Sequence, residues 1–326
     1  MRFGFAVQVL GRPGLKSHDS RRWQNEPHLS VSLAYLRDIL GYLRRQNIRM
    51  YRLSAELAPY VTHPDMPRFH GQIDECTVEL NSVGQMARGD GLRLSFHAPM
   101  TAVLNTPDET TAAKTAAELN ALARLLDGLK QGPEAVIVLH IGGVYGDRHA
   151  ACHHFVERYH ALPPATRRRL ALEHDDNRFS VGDIAWIHDQ TGIPLVYDHL
   201  HHRCYNPEKL STVKALRLCL RSWPDGVRPK VHFSSPSTAM HVIQQRHPIT
   251  DARMRLLHPP QPTEHADFIH PFEFIAFLRT AREAALPDFD VMLEVRAKDL
   301  ALLRLRQNLT GFAPALGEDF LDLSQV

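Results

Sequence analysis

The chain reads as an α/β protein: one closed (β/α)8 TIM barrel over residues 1–312, followed by a tail over 313–326. Three observations predict this. Short apolar runs alternate with longer helical patterns along most of the 326 residues. The apolar runs number eight, which favours a closed barrel over an open doubly wound sheet. They are apolar almost throughout rather than alternating, as parallel strands covered on both faces should be.

The elements follow in order. A strand at 2–8 leads into a helix at 30–46. Strands at 49–54, 92–97, 135–140 and 169–173 are followed by helices at 74–90, 108–130, 149–161 and 181–191. Strands at 194–198, 229–233 and 290–295 are followed by helices at 208–221, 267–285 and 298–308. Within the third helix, ELNALARLLDGLK places apolar residues at three- and four-residue spacing, which gives one buried face. No GxGxxG or phosphate loop follows the first strand, which argues against a dinucleotide-binding sheet. No Pro/Gly/Ser linker divides the chain. The longest irregular stretch, 234–266, is expected to cover the top of the barrel. The tail, APALGEDFLDLSQV, is acidic.

Apolar residues make up 44% of the chain, enough for a sizeable core, and the formal net charge of +2 does not by itself imply nucleic acid. Four cysteines without a CxxC pair suggest a reduced, cytoplasmic chain rather than a disulfide scaffold. The start, MRFGFAVQVL, lacks a secretory signal, and no apolar run approaches ~20 residues, so no membrane span is expected. A monomer is expected.

Histidine is the outlier, at 21 of 326 residues. Six of the eight strands end on a metal-type donor: LSFHAP (His97), IVLHIGG (His140), LALEHDD (Glu173), LVYDHLHH (Asp198, His201), PKVHFSS (His232) and VMLEVRAK (Glu294). A single strand-end histidine is usually a hydrogen-bonded core residue. Strand C-termini of a barrel converge on one face, however, so these donors would share one bowl. Imidazole and carboxylate suit zinc, manganese or iron(II), and seven donors exceed what one tetrahedral ion needs. Two or three ions sharing carboxylates would use them. His265, before the seventh helix, and His63, in THPDMP, are further candidates. Lys230 shares a strand face with His232; inside a barrel it would neutralise a carboxylate or become a ligand by carboxylation of its amine. Tyr145 and Arg52 are polar residues near the same face.

The ordered segments YRLSAELAPYVTHP, LSFHAP, VLHIGGVYG, LALEHDD, VYDHLHHRCYNP, PKVHFSS and VMLEVRAKD resemble the ultraviolet damage endonuclease family, over about residues 2–300. The resemblance implies a xylose-isomerase-like barrel holding up to three divalent ions, often manganese, that cuts damaged double-stranded DNA on the 5′ side of the lesion. It implies His97, His140, Glu173, Asp198, His201, His232, His265 and Glu294 as ligands and a carboxylated Lys230, and His63 matches a histidine near the family's site. Where the family carries a Gln-Tyr pair that probes the lesion, this chain has Met100 and Thr101. A Tyr and an Asn near the N-terminus are matched by Phe5 and Val9.

The residues alone lead to a multinuclear metallohydrolase, and the resemblance makes its substrate a phosphodiester in damaged DNA. The altered probing positions keep open another metalloenzyme of the same barrel group, acting on a small molecule or peptide. A binding protein that has lost catalysis is opposed by the retained donors.

Overall fold

The computed structural model describes residues 1–246 and 249–315. Seven strands come first: β1 (Phe3–Ala6), β2 (Met50–Arg52), β3 (Arg93–His97), β4 (Ile137–His140), β5 (Leu170–Glu173), β6 (Leu195–Val196) and β7 (Lys230–Phe233). A hairpin, β8 (His241–Arg246) and β9 (Arg253–His258), precedes β10 (Asp290–Leu293). The helices are α1 (Leu29–Arg45), α2 (Gln72–Glu75), α3 (Thr77–Gly89), α4 (Glu109–Gly128), α5 (Arg148–Ala161), α6 (Pro164–Arg167), α7 (Val181–Thr191), α8 (His199–Cys204), α9 (Thr212–Arg221), α10 (Pro271–Glu283) and α11 (Lys298–Phe312). No described helix is long and apolar enough to cross a membrane.

The eight-stranded sheet runs β6-β5-β4-β3-β2-β1-β10-β7, with each neighbouring pair parallel, so the predicted barrel is present. Its seam lies between β6 and β7. There a single parallel bridge joins Asp198 to His232, and the His232 amide donates to the Tyr197 carbonyl at 2.8 Å. Two residues expected as ligands therefore also close the sheet.

Side-chain alternation along the strands builds two cores. One lies between sheet and helices, with Leu94, Phe96, Leu139, Leu172, Phe233 and Leu293 buried against helix residues such as Leu36, Leu122 and Phe274. A smaller cluster of opposite parity, Val136, Val138, Ala171 and Val196 with Trp223, fills the barrel interior. Above this cluster the same parity brings His140, Glu173 and Asp198 to the C-terminal rim. At the other end Arg93 and Asp290, both fully buried, pair at 2.9 Å, and the Arg93 guanidinium lies 5.5 Å from the Trp223 ring centroid.

Several helix starts are readable as caps. Asp108, Asp147, Ser180 and Ser211 each accept an amide of the first turn, and Ser180 with Asp183 forms a capping box. α10 begins later than the predicted 267, because Pro271 suits only the first turn of a helix. The predicted helix at 74–90 breaks at Cys76 into α2 and α3. The stretch 234–266, expected to be irregular, contains the β8–β9 hairpin. Val242, at 59% exposed, and its neighbour Ile243, at 42%, point to opposite faces, so neither face is packed away. Residues 313–315 of the predicted tail are described; 316–326 lie outside the described residues.

Gly4 sits where a side chain would not fit. It pairs with Met50 and Met292, and an added Cβ would stand 2.7 Å from Met50 Cγ and 2.8 Å from its carbonyl oxygen. Gly4→Ala is expected to destabilise the barrel by about 1–3 kcal/mol through overpacking, read as a lower urea midpoint with an unchanged slope.

Candidate metal centre

The donors read from the strand ends meet around one carboxylate. Glu173 is buried, and its Oε2 stands 3.1 Å from His97 Nε2 and 3.7 Å from His140 Nε2. Its Oε1 stands 2.9 Å from His232 Nδ1 and 3.4 Å from His201 Nδ1. Two groups have ligand atoms all within 4.8 Å of one another: His97, His140 and Glu173, and Glu173, Asp198, His232 and Glu294. Glu173 is the member common to both.

The hydrogen bonds behind these rings set what they offer. The His97 Nδ1–H donates to the Ala98 carbonyl at 2.8 Å, and His140 Nδ1 lies 3.3 Å from the Glu173 carbonyl oxygen. Neutral rings so held aim an Nε2 lone pair at the Glu173 carboxylate, which is itself an acceptor. Lone pair against lone pair requires a proton or a cation between them. Asp198 repeats the pattern: its Oδ1 accepts the His201 amide at 2.7 Å, while its buried Oδ2 has no hydrogen-bond partner among the described residues. A buried orphan carboxylate oxygen is costly, and a divalent cation would satisfy it. The donor set therefore fits divalent ions.

Ionisation agrees with this geometry. Burial, then Arg52, holds His97 down to about 4; burial, then His97 and His201, holds His140 at about 3. Burial and the nearby Glu294 raise Glu173 well above the usual carboxylate range, so without an ion a proton takes the cation's place. Burial would raise Glu294 too, but Arg52, His232 and His97 outweigh it and hold that carboxylate charged. His201 is driven up to about 9: burial opposes its charge, but Asp198, Glu173 and Glu294 prevail.

The remaining predicted residues are placed unequally. Lys230 is fully buried on the inward face of β7, and its Nζ has no hydrogen-bond partner among the described residues. Burial, then Arg52 and Arg93, lowers its pKa well below that of a free lysine and so favours the neutral amine. His265 is tied to the hairpin root by a bridge to Pro236, with its ring 6.4 Å from that of His201. His63 lies apart, in a cavity of about 600 Å³ shared with His18, Glu56 and Tyr60 whose lining includes none of the eight donors. Tyr145 stands on the rim, 53% exposed, beside His140, Met100 and Arg178 in a smaller cavity of about 230 Å³. Phe5 and Val9 belong to the packed core, with Phe5 edge-on to Tyr51 at 5.3 Å, whereas Met100 is 77% exposed.

Two supporting residues were not identified as such from the sequence. Arg52 binds Glu294 and donates to His232 Nε2 at 3.1 Å, which fixes that ring's tautomer. His174 accepts the Asp198 amide on Nε2 at 3.0 Å and offers its carbonyl to His201 Nδ1 at 3.1 Å. Its position next to Glu173 in LALEHDD was the available signal. Strand alternation turns its ring away from the bowl, so it holds the candidate donors rather than joining them.

The sequence profile described as UV-endonuclease UvdE matches residues 18–316. A UV DNA damage endonuclease of Bacillus velezensis is 28% identical over 296 residues, covering 89% of this chain and 85% of that protein. Another, from Bacillus cereus strain G9842, is 30% identical over 280 residues, covering 83% and 78%. The crystal structure of SacUVDE superposes with a TM-score of 0.77 at 26% identity, over 95% of this chain and 98% of that one. A D-psicose 3-epimerase from Clostridium cellulolyticum H10, with a TM-score of 0.55 at 11% identity over 97% of this chain and 99% of that one, shares the fold alone. The profile match runs through every strand that carries a donor to the bowl, and the chain belongs to the UV-endonuclease UvdE family.

Proposed function

We propose that this protein is a metal-dependent endonuclease that hydrolyses a phosphodiester of damaged double-stranded DNA on the 5′ side of the lesion. The observation that carries the reading is the pair of donor groups meeting at Glu173, in a chain whose relatives are UV DNA damage endonucleases. Two or three divalent ions, with manganese preferred over zinc or iron, would be held by His97, His140, Glu173, Asp198, His201, His232, His265 and Glu294. Such ions neutralise the phosphodiester and activate water for its hydrolysis.

The chain's own residues do the rest. Arg52 holds Glu294 and His232 in place, and its guanidinium adds a positive charge beside the bowl. Lys230, whose Nζ has no partner among the described residues and whose burial favours the neutral amine, would add carbon dioxide with loss of a proton to become a carbamate, an anionic ligand facing the same interior. Tyr145 and Met100, exposed on the rim, would meet substrate, and His63 would act from its separate cavity. A monomer is proposed, and four free cysteines, three of them buried, suit a reducing cytoplasm.

The test is nicking of ultraviolet-irradiated duplex beside elemental analysis of the same sample. Manganese-loaded protein is expected to nick irradiated duplex far faster than undamaged duplex. Chelation should abolish the activity and added manganese restore it. Fully metallated protein that leaves irradiated duplex intact would refute the reading and leave the small-molecule alternative.

A further inference from the structure

The β8–β9 hairpin follows the strand that carries Lys230 and His232, and its root is held against the metal centre. Ser237 donates its amide to the Glu264 carbonyl at 2.6 Å, Ala266 donates to Ser235 at 2.9 Å, and Arg296 donates to Ala266 at 3.0 Å. Pro236 bridges to His265. The hairpin thus stands on the rim of the bowl, fixed at its base between the ends of β7 and β10.

Its two strands carry a sorted face. The register pairs Val242 with Leu257, Gln244 with Arg255, and Arg246 with Arg253. Residues directly opposite in an antiparallel pair share a face, so one face runs from an aliphatic pair at the root to three arginines toward the tip. Leu257 on this face is 69% exposed, and all three arginines are exposed. Arg246 pairs with Asp251, but Arg253 and Arg255 make no ion pair among the described residues. Two of the three arginines on this outward face thus have no acidic partner among the described residues. Pairing with a second copy of the hairpin would bring like charges together, which disfavours self-association.

We propose that the β8–β9 hairpin is an arm that binds the phosphate backbone of the DNA duplex beside the cleaved strand, through Arg253 and Arg255 with Arg246 at the tip. This rests on DNA being the substrate and specifies which surface holds it. The contact is with phosphates and is therefore independent of sequence and of the lesion.

The experiment is fluorescence anisotropy of a labelled undamaged duplex with metal-loaded protein over a salt series, which reads binding without cleavage. R253E/R255E is expected to weaken binding at least ~10-fold at ~50 mM salt and to make the log–log salt slope shallower by about two, as loss of two phosphate contacts requires. A second variant, with residues 240–259 replaced by a short Gly-Ser connection, should show the same loss with thermal midpoint and bound metal unchanged. Both variants binding with wild-type affinity and slope would overturn the proposal. So would a change in oligomeric mass on gel filtration without a change in salt slope, which would make the hairpin an edge for self-pairing. Wild-type protein that nicks nothing but binds duplex through the hairpin would refute the endonuclease reading and retain this one.

Discussion

Replacing Glu173 with glutamine is expected to cut nicking at least ~100-fold and to lower the number of ions bound, with little loss of stability. The estimate is a lower bound taken from residues that only support a metal ligand, whose loss typically costs 10–100-fold. Glu173 is common to both donor groups, so a single substitution disturbs both. The fold should tolerate it because burial and Glu294 already favour the neutral, protonated carboxyl when no ion is bound, and glutamine is neutral and of the same shape. His97 Nε2 stands 3.1 Å from Oε2, and an amide nitrogen in that place could donate to the ring. Metal content by elemental analysis, nicking rate and thermal midpoint should thus separate, the first two falling and the third holding. A variant that binds its full complement of ions and nicks normally would remove Glu173 from the centre.

Asp290→Ala is expected to do the reverse. Asp290 lies at the opposite end of the barrel, where it accepts from Arg93 Nη1 at 2.9 Å, from Arg2 Nε at 2.8 Å and from the Arg2 amide at 2.8 Å. Its removal leaves the Arg93 guanidinium buried, with the carbonyls of Glu134, Arg228 and Pro229 as its only hydrogen-bond acceptors among the described residues. Breaking one side of a buried ion pair typically costs about 3–5 kcal/mol, because the other charge stays buried without compensation. The urea midpoint should fall accordingly. Folded variant should still bind metal, since the donors sit at the other rim. Replacing both partners by apolar residues, Arg93→Met with Asp290→Leu, should recover much of the loss, because the cost comes from the unpaired charge. A single variant with wild-type stability would show that the pair contributes nothing.

The alternation of apolar strands with amphipathic helices was legible along the chain because both periods are local. The same locality exposed the donors. A His, Asp or Glu ending an apolar strand violates the burial pattern of that strand, and six such violations point to one rim. Elements stabilised by few local signals were not legible. α8 is six residues long and starts from the Asp198 cap, within a segment that also reads as a strand end. The hairpin lay inside a stretch read as irregular, because its alternating strands bury little and so look like a polar loop.

Position also changed the meaning of residues that look equivalent in sequence. Phe5, Val9, Met100 and Thr101 were grouped as sites of substrate choice, but packing removes Phe5 and Val9 into the core and leaves Met100 on the rim. Glu173 and Glu294 are both strand-end glutamates, yet burial and the neighbouring Glu294 prevail over His201 and Arg52 and favour a proton on the first, while Arg52, paired directly with the second, keeps it charged. The sequence by itself determined the barrel and the inventory of donors, since strand period and burial cost act over a few residues. Only the tertiary structure decided that Glu173 joins two donor groups, that Asp198 and His232 close the seam, and that an arginine-faced hairpin stands beside them. Those depend on distances between strands far apart in the chain, which no local pattern encodes.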